Sequence, residues 1–265
     1  MILRGLESAA NGMNALINQN DSTANNVANV NTVGYKKQAL AFKNIYDSNV
    51  VEKISIDEAR DIGSLSVGSQ VQQLTYDFSQ GALDTTGEVF DVAIQGDGFF
   101  KIQSAKDESI SYTRNGSFTL NNNGNLVTKD GDYVLDNRNK KIKINTDGVV
   151  MRSLKDIIIN EDGRIELCNE STRISMQTIG IYDFSNKENM FCIGGAKFIP
   201  QDTQINPELK AEKFSIRQGA LEMSNANIVN EMIKTISTSR NYESLSKIVK
   251  TSGDTLSNAL RAARL

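Results

Sequence analysis

The chain has 265 residues, of which 39% are hydrophobic and 23% are charged, and its length suits one large domain or two small ones. Histidine is absent, which excludes His-dependent catalytic triads, histidine metal sites and the usual general base near neutral pH. The net charge is −3, but it is unevenly distributed. Residues 1–45 carry four basic and two acidic side chains, and residues 216–265 carry seven basic and four acidic ones, so the ends are basic and the middle is acidic. This distribution argues against a nucleic-acid partner.

A helix with one apolar stripe is predicted at the N-terminus. Its apolar residues follow a heptad register, the pattern of helices that bury a stripe against other helices. They are Leu3, Leu6, Ala10, Met13, Ile17, Ala24 and Val27. Asn20 interrupts the stripe at one core position, where a polar residue either fixes register and partner number at a cost in stability or is simply tolerated.

The same segment is rich in asparagine, with eight within the first 31 residues. Because asparagine is a poor interior helix former, an isolated peptide of this sequence should become helical only when packed. The stripe ends near Asn31, and Gly34 suits a helix C-cap or a turn.

Arg4 and Glu7 interrupt the start, so we expect no cleaved signal peptide. No apolar run approaches the ~18 residues of a membrane helix.

The middle of the chain is predicted to be β structure. Residues 46–80 suggest an extended or hairpin-like segment, with apolar residues at Val67, Val71 and Leu74. Beyond them, short apolar or alternating runs are separated by two-residue hairpin signals. These signals are Asn115-Gly116, Asn123-Gly124, Asp130-Gly131, Asp147-Gly148 and Asp162-Gly163. Such spacing predicts a compact, mainly antiparallel all-β body.

Two features of the middle could be mistaken for chemical sites. Gly96-Asp97-Gly98 lacks the full spacing of a phosphate loop, and we expect a tight turn that delivers Phe99 or Phe100 into the β core. Carboxylates such as Glu161 and Asp162 stand beside glycine, where turn chemistry explains them better than acid/base catalysis.

The two cysteines, Cys168 and Cys192, could pair only if their Cα atoms lay within ~4.4–6.8 Å. Two unrelated thiols are the expectation. They lack the close spacing of a metal or redox motif, and we expect no cofactor and no metal site.

A second long helix is predicted at the C-terminus, from about residue 226 to Ala263. It would be about 55 Å long at 1.5 Å per residue, which a compact monomer needs only if something packs along it. Its apolar residues hold two registers that differ by one residue. The first contains Val229, Met232 and Ile236, and the second contains Tyr242, Leu245, Val249, Leu256, Ala259 and Ala263.

Together these elements predict an α+β fold, in which the N- and C-terminal helices pack as a coiled-coil-like domain and a mainly antiparallel all-β domain lies between them in sequence. The expected boundaries are 1–45 for the N-terminal helix and the segment after it, 46–80 for the extended or hairpin segment, 81–215 for the β domain and 216–265 for the C-terminal helix.

Four segments carry a resemblance to a known family. They are ANNVANVNTVGYKK at residues 24–37, GDGFF at 96–100, YTRNGSF at 112–118 followed by GNLV at 124–127, and QGALEMSN at 218–225. In this order they resemble the flagellar axial proteins, the rod and hook family, in which an ANNLANVNTxGFK pattern follows the first helix. The family signature falls on Asn25, Asn26, Asn29, Asn31, Gly34, Lys36, Gly96, Gly98, Phe99 and Phe100.

The resemblance implies a structural subunit of the bacterial flagellar basal-body rod, not an enzyme. Such subunits polymerise helically through their terminal helices, and the C-terminal helix lies innermost, facing the export channel. The predicted assembly interface consists of Leu3, Leu6, Met13, Ile17, Asn20, Val27, Val30, Val229, Met232, Ile236, Tyr242, Leu245, Val249 and Leu256. Within the family the chain is most similar to the distal-rod paralogue, and the proximal-rod paralogue is close behind.

The resemblance also implies partners and a location. The partners are other copies of the chain, other rod and hook subunits, the flagellar type III export apparatus and surrounding ring proteins, with no nucleic acid and no membrane insertion. The location is the basal body, outside the inner membrane. An alternative from another class is a secreted β-rich adhesin with helical tails, which would not explain the heptads at both ends. A carboxylate hydrolase would explain neither end.

Overall fold

The computed structural model describes residues 2–53, 59–144, 157–169, 172–202 and 204–262, with the backbone alone for residues 2–4, 42–53, 59–72, 168–169 and 172–176. The predicted turn Asp147-Gly148 and Ala263 lie outside the described residues, as does the side chain of Leu3. The chain forms two compact units. The helical unit comprises Met1–Ala28, Gln38–Thr75 and Asn227–Leu265, and the β unit comprises Asn29–Lys37 and Tyr76–Ala226.

The helical unit contains two long helices, α1 (Ile2–Ala28) and α2 (Ile228–Ala262). They run antiparallel: Asn26 near the end of α1 donates a hydrogen bond to Glu231 near the start of α2, whereas Gly12 lies beside Leu245. The 35 residues of α2 span about 52 Å. The predicted pairing of the two terminal helices is confirmed.

Two strands, β1 (Gln38–Lys53) and β2 (Ala59–Tyr76), form a two-stranded sheet. Asn26 ties α1 to the start of β1, because its Oδ1 accepts a hydrogen bond from Gln38 N (2.8 Å) and its Nδ2 donates to Gln38 O (3.0 Å). A buried amide that makes both bonds satisfies the backbone groups with which β1 begins.

The β unit consists of short strands. They are β3 (Leu83–Thr85), β4 (Val92–Gly96), β5 (Phe99–Gln103), β6 (Ile110–Thr113), β7 (Phe118–Leu120), β8 (Leu126–Thr128), β9 (Tyr133–Val134), β10 (Ile157–Ile159), β11 (Arg164–Asn169), β12 (Thr172–Thr178), β13 (Ile181–Phe184), β14 (Met190–Gly194), β15 (Lys197–Pro200), β16 (Glu208–Lys210), β17 (Phe214–Gln218) and β18 (Ala220–Glu222). A 3₁₀ turn, Lys187–Asn189, precedes β14.

Every paired strand described in the β unit is antiparallel, which confirms the predicted fold class. The largest sheet follows the order β14-β15-β6-β5-β9-β8-β7, and β13 with β16 joins it at β5. The strands β10, β11 and β12 form a second sheet. The last strands return to the first, because β17 pairs with β4 and β18 pairs with β3.

Three of the predicted hairpin turns are confirmed and one is wrong. Gly124, Gly131 and Gly163 lie in turns that join β7 to β8, β8 to β9 and β10 to β11. Gly116 joins β6 to β7, which do not pair. Gly116 is needed for close packing against Val92, because a Cβ at this position would lie 1.6 Å from Val92 O. Val92 N also donates a hydrogen bond to Gly116 O.

Two buried clusters fill the β unit, and consecutive phenylalanines supply both. Neighbouring residues of a strand point to opposite faces of a sheet. Phe100 packs edge-on against Phe118 in the larger, aliphatic cluster, and Phe99 packs among Tyr112, Phe184 and Phe198 in the aromatic one. The predicted turn at Gly96 and Gly98, both with positive φ, therefore delivers both rings into cores.

The two cysteines lie in different sheets. Cys168 is on β11, and Cys192, on β14, is a free thiol. This agrees with the expectation of two unrelated thiols.

The aromatic cluster makes the stability of the β unit depend on pH in the alkaline range. Burial, followed by the hydrogen bond to Glu208, raises the pKa of Tyr112, and burial, followed by the Glu208 charge, raises the pKa of Tyr182. A group whose pKa is raised on folding stabilises the protein below its unfolded pKa and loses that contribution as the pH rises above it.

We therefore expect the melting temperature of the β unit to fall between about pH 9 and pH 11, and to fall less in Tyr112→Phe. Near-UV circular dichroism across this range checks it, since the chain has seven tyrosines and no tryptophan. Tyr133→Phe, which removes a half-buried hydroxyl on β9, is the control and should follow the parent. Equal pH dependence in the parent and Tyr112→Phe would contradict the assignment.

Candidate assembly interface and the signature segment

The face of α2 that packs on α1 is defined by its buried and half-buried side chains. They are Glu231, Thr235, Thr238, Leu245, Val249, Ser252 and Leu256. This three-four spacing is that of a helix seam. The seam is polar over its first two turns and, apart from Ser252, apolar from Leu245 onward. The Cδ1 atom of Leu245 lies 3.2 Å from a Cβ placed on Gly12.

Glu231 anchors the polar part of the seam. Its side chain is only 1% exposed. Its Oε2 accepts from Asn26 Nδ2 at 3.2 Å, and its Oε1 lies 3.1 Å from Lys234 Nζ. A buried carboxylate needs such partners, so the end of α1 and the start of α2 are fixed together.

The apolar residues at the start of α2 lie on the opposite face. At 100° per residue, Val229, Ile233 and Ile236 stand about half a turn away from the seam. This surface, the α2 outer stripe, is 41–61% exposed. It consists of Ile228, Val229, Met232, Ile233 and Ile236. The predicted one-residue slip is therefore a change of face: Val229, Met232 and Ile236 point outward, whereas Leu245, Val249 and Leu256 belong to the seam.

On α1 the predicted heptad register is not the face that meets α2. The buried positions of α1 are Ala9, Ala15, Ser22, Thr23 and Asn26. These small or hydrogen-bonding residues allow the close approach at Gly12. The larger apolar side chains lie beside them on a surface that we call the α1 flank stripe. It consists of Leu6, Ala10, Met13, Ile17, Asn20, Ala24 and Val27, and these side chains are half-buried or exposed, with Ile17 44% exposed.

Asn20, which interrupts the predicted N-terminal stripe, and Tyr242, which begins the second predicted register of α2, line one cleft. Its volume is ≈370 Å³. The lining residues are Leu16, Ile17, Asn20, Thr238, Ser239, Tyr242 and Glu243. The walls are mixed: Leu16, Ile17 and Tyr242 supply apolar surface, and Glu243 is the one charged side chain among the lining residues.

The signature segment after α1 belongs to the β unit. Asn25 and Asn31 are exposed, and Val30 and Asn29 are half-buried. Asn29 closes a turn in which its backbone oxygen and its Oδ1 accept from Thr32 N and Oγ1, both at 3.1 Å.

Gly34 is required by both its conformation and its surroundings. Its φ is +69°, and its N–H donates to Glu222 O at 2.7 Å. A Cβ at this position would lie 2.3 Å from Asn115 N. Backbone this close excludes any side chain.

Two residues later, Lys36 enters a buried ionic cluster. Its Nζ lies 2.6 Å from Glu222 Oε1 and donates to Ser79 O at 2.7 Å. Arg114 Nη1 lies 3.2 Å from Glu222 Oε2. The side chains of Lys36, Glu222 and Arg114 are 1%, 1% and 2% exposed. Burial lowers the pKa of Lys36, and the Glu222 carboxylate opposes that shift.

The cluster brings the four sequence motifs to one point. Arg114 Nη2 donates to Gly96 O at 2.8 Å, and its guanidinium stacks 5.3 Å from the ring centre of Phe99. The motif at 24–37 contributes Lys36, that at 96–100 contributes Gly96 and Phe99, that at 112–118 contributes Arg114, and that at 218–225 contributes Glu222. Cation–π contact and bonding to one carboxylate explain these residue types.

Sequence reasoning missed Arg114, Glu222 and Asn225 as site residues. Asn225 Oδ1 accepts from Lys37 N at 2.8 Å, and its Nδ2 donates to Asp77 O at 2.7 Å. The available signal was their position inside the quoted motifs, where a charged or amide side chain stands among apolar or small residues.

Comparison with known proteins identifies the family. Residues 6–36 match the flagella basal body rod protein model, residues 93–167 the flagellar hook protein FlgE/F/G D1 domain, and residues 217–262 the flagellar basal body rod FlgEFG protein C-terminal model. The flagellar basal-body rod protein FlgG of Borreliella burgdorferi is 34% identical over 96% of this chain and 97% of that protein. The chain belongs to the flagellar basal-body rod protein family.

Other relatives agree. FlgG of Bacillus subtilis is 31% identical over 99% of this chain and 100% of that protein, and the flagellar hook protein FlgE of Helicobacter mustelae is 37% identical over 48% of this chain and 29% of that protein. This rod protein is therefore a structural subunit of the flagellar basal body, in a family that assembles with rod and hook subunits. The adhesin alternative has no support.

The described residues contain neither a membrane-spanning helix nor a metal-binding group. None of the helices in this part of the chain is both long and apolar enough to cross a membrane. Its side chains contain no group of three or more carboxylates, thiols or imidazoles that could hold a metal ion.

We expect Glu222→Gln to lower the free energy of unfolding of the β unit by about 3 kcal/mol or more, because it leaves two buried cations without a counter-charge. Urea unfolding followed by near-UV circular dichroism measures it. The matched control is Glu208→Gln, which also deprives a buried lysine, Lys101, of a carboxylate at 2.6 Å, but at a position 34% exposed. There solvent screening should limit the loss to about 1 kcal/mol. Equally small losses would contradict the importance of the cluster.

Gly34→Ala should destabilise the rod protein more than Gly131→Ala. Both glycines have positive φ, but a Cβ at Gly131 meets no atom within 4 Å. The left-handed conformation costs about 1–2 kcal/mol for a residue with a side chain, and only Gly34→Ala adds the clash with Asn115. The same unfolding experiment compares them, and equal stabilities of the two variants would refute the close approach.

Proposed function

We propose that this chain polymerises helically through its terminal helices to form part of the flagellar drive shaft and the channel within it. The observation that carries the proposal is the pair of apolar surfaces on the helical unit, the α1 flank stripe and the α2 outer stripe, in a chain of the rod protein family. A large apolar side chain contributes roughly 1.5–3 kcal/mol when fully buried. Several such side chains would offset much of the cost of association.

A filament requires an asymmetric contact. When one surface of a subunit binds a different surface of the next and the rotation between them does not close, the assembly grows as an open helix. The two stripes are different surfaces, which supports this mode over a symmetric dimer. The predicted interface residues of α1 and α2 would then act in two ways, with Leu245, Val249 and Leu256 joining helices within a subunit and the stripes joining subunits.

The family resemblance extends the proposal to position and partners. We place the chain in the distal rod, with the proximal rod as the other possibility, and its neighbours are rod and hook subunits and surrounding ring proteins. The flagellar type III apparatus would export it to a site outside the inner membrane. The proposal assigns it no catalytic activity and no cofactor.

The inner wall of the channel would be formed by α2. Ser237, Asn241 and Ser244, which share one face of α2 at 100° per residue, are exposed in the subunit. Small uncharged polar groups would let unfolded chains slide past without strong binding. The segment predicted at residues 46–80, which overlaps the two-stranded sheet β1–β2, would contact neighbouring subunits and be well ordered only in the assembled rod.

A substitution in the outer stripe tests the proposal. Ile236→Asp should leave the purified subunit folded, because this side chain is 55% exposed, but should prevent its incorporation into rods and abolish motility, because a charge would be buried at the subunit contact. Helix content, unfolding and motility of a complemented deletion strain are measured together. Asn122→Asp, which adds the same charge to an exposed turn of the β unit, is the control. Normal motility of Ile236→Asp would overturn the proposal.

A further inference from the structure

The α2 outer stripe and the cleft beside the α1 flank stripe have complementary surfaces. The stripe presents five aliphatic or methionine side chains on the first three turns of α2. The cleft is walled by the apolar surfaces of Leu16, Ile17 and Tyr242. Its polar groups are Asn20, Thr238, Ser239 and the carboxylate of Glu243. One surface is convex and apolar, and the other is concave and partly apolar.

The charges around the two surfaces are also complementary. Between residues 5 and 28, α1 carries only Glu7 and Asp21 and no basic side chain, and both acids are exposed. The exposed cation Arg240 flanks the α2 outer stripe. The acid of that region, Glu231, is buried and paired with Lys234 at 3.1 Å. Opposite charges favour contact between α1 and the start of α2, and like charges disfavour contact of each surface with itself.

A single subunit cannot bring these surfaces together. The outer stripe lies on α2, the same helix that forms one wall of the cleft. It therefore cannot enter its own cleft without breaking the seam by which α2 packs on α1. We propose that the α2 outer stripe of one subunit inserts into the cleft lined by Ile17, Asn20 and Tyr242 on a second copy of this chain. This inference rests on the proposed function and specifies its contact: a donor surface on α2 and an acceptor surface between α1 and α2.

Asn20 then has a defined role. It is the polar member of an otherwise apolar flank stripe and lies in the acceptor cleft. A single polar side chain in an apolar contact fixes the register of the partners at some cost in stability. Here it would select one seating of the donor stripe among several axial positions.

Crosslinking in assembled rods tests the contact. Two differently tagged full-length copies, both with Cys168→Ser and Cys192→Ser, are expressed together, one carrying Met232→Cys and the other Ile17→Cys, and basal bodies are treated with a short bis-maleimide. We expect a covalent heterodimer of the two tags. Lys250→Cys replaces Met232→Cys in the control, since it is exposed on the same helix outside the stripe, and should give none.

The outcomes separate the inference from the proposed function. Assembled rods without the Met232–Ile17 product, a product between two Met232→Cys copies, or an equal yield from Lys250→Cys would overturn this contact while leaving the rod function intact. Absence from basal bodies of a tagged copy that carries neither the donor nor the acceptor cysteine, with helix content and unfolding unchanged, would overturn the function and the contact together. Ile233→Cys is a second donor variant and should behave as Met232→Cys if the latter folds poorly.

Discussion

The carboxylate of Glu222 pairs with two buried cations, Lys36 and Arg114, which are distant from it in the sequence. Lys36 precedes every strand of the β unit in the sequence, and Glu222 ends the last strand, β18. Their 2.6 Å contact therefore joins the beginning of the unit to its end. The pairing of β3 with β18 and of β4 with β17 depends on the same closure. Removing one partner would leave an uncompensated buried charge, which is far more costly than the modest net gain of the pair itself.

This closure lies where the chain passes between the two units. The segment 29–37 follows α1, and residues 223–226 precede α2, so both helices begin or end at segments that the Glu222 cluster and Asn225 hold in place. Within the helical unit, Asn26 and Glu231 join the corresponding helix ends. The signature residues therefore make contacts within each unit. None of them occupies the two stripes, whose side chains are half-buried or exposed in the subunit.

Periodicity and turn chemistry predicted the two helices, the antiparallel β body and the role of Phe99 and Phe100, because these depend on local patterns. The sequence did not reveal which face of α1 meets α2, because a heptad stripe shows that a surface will be buried but does not show which partner buries it. Ala9, Gly12 and Ala15 pack against α2 because their small size allows the two helices to approach closely. Nor could local patterns find the Arg114–Glu222 pair, whose members are separated by 108 residues. The glycine of Asn115-Gly116 resembled a hairpin signal but serves close packing against Val92.

The central claim is that the helical unit of a lone subunit is incomplete and that other copies complete it. Cryo-electron microscopy of the intact basal body at side-chain resolution tests this most directly. The account predicts that Val229, Met232 and Ile236 of each subunit are buried against a neighbouring copy, with the Lys36–Glu222–Arg114 cluster unchanged inside each β unit. A rod in which these three side chains face solvent or the channel would contradict it.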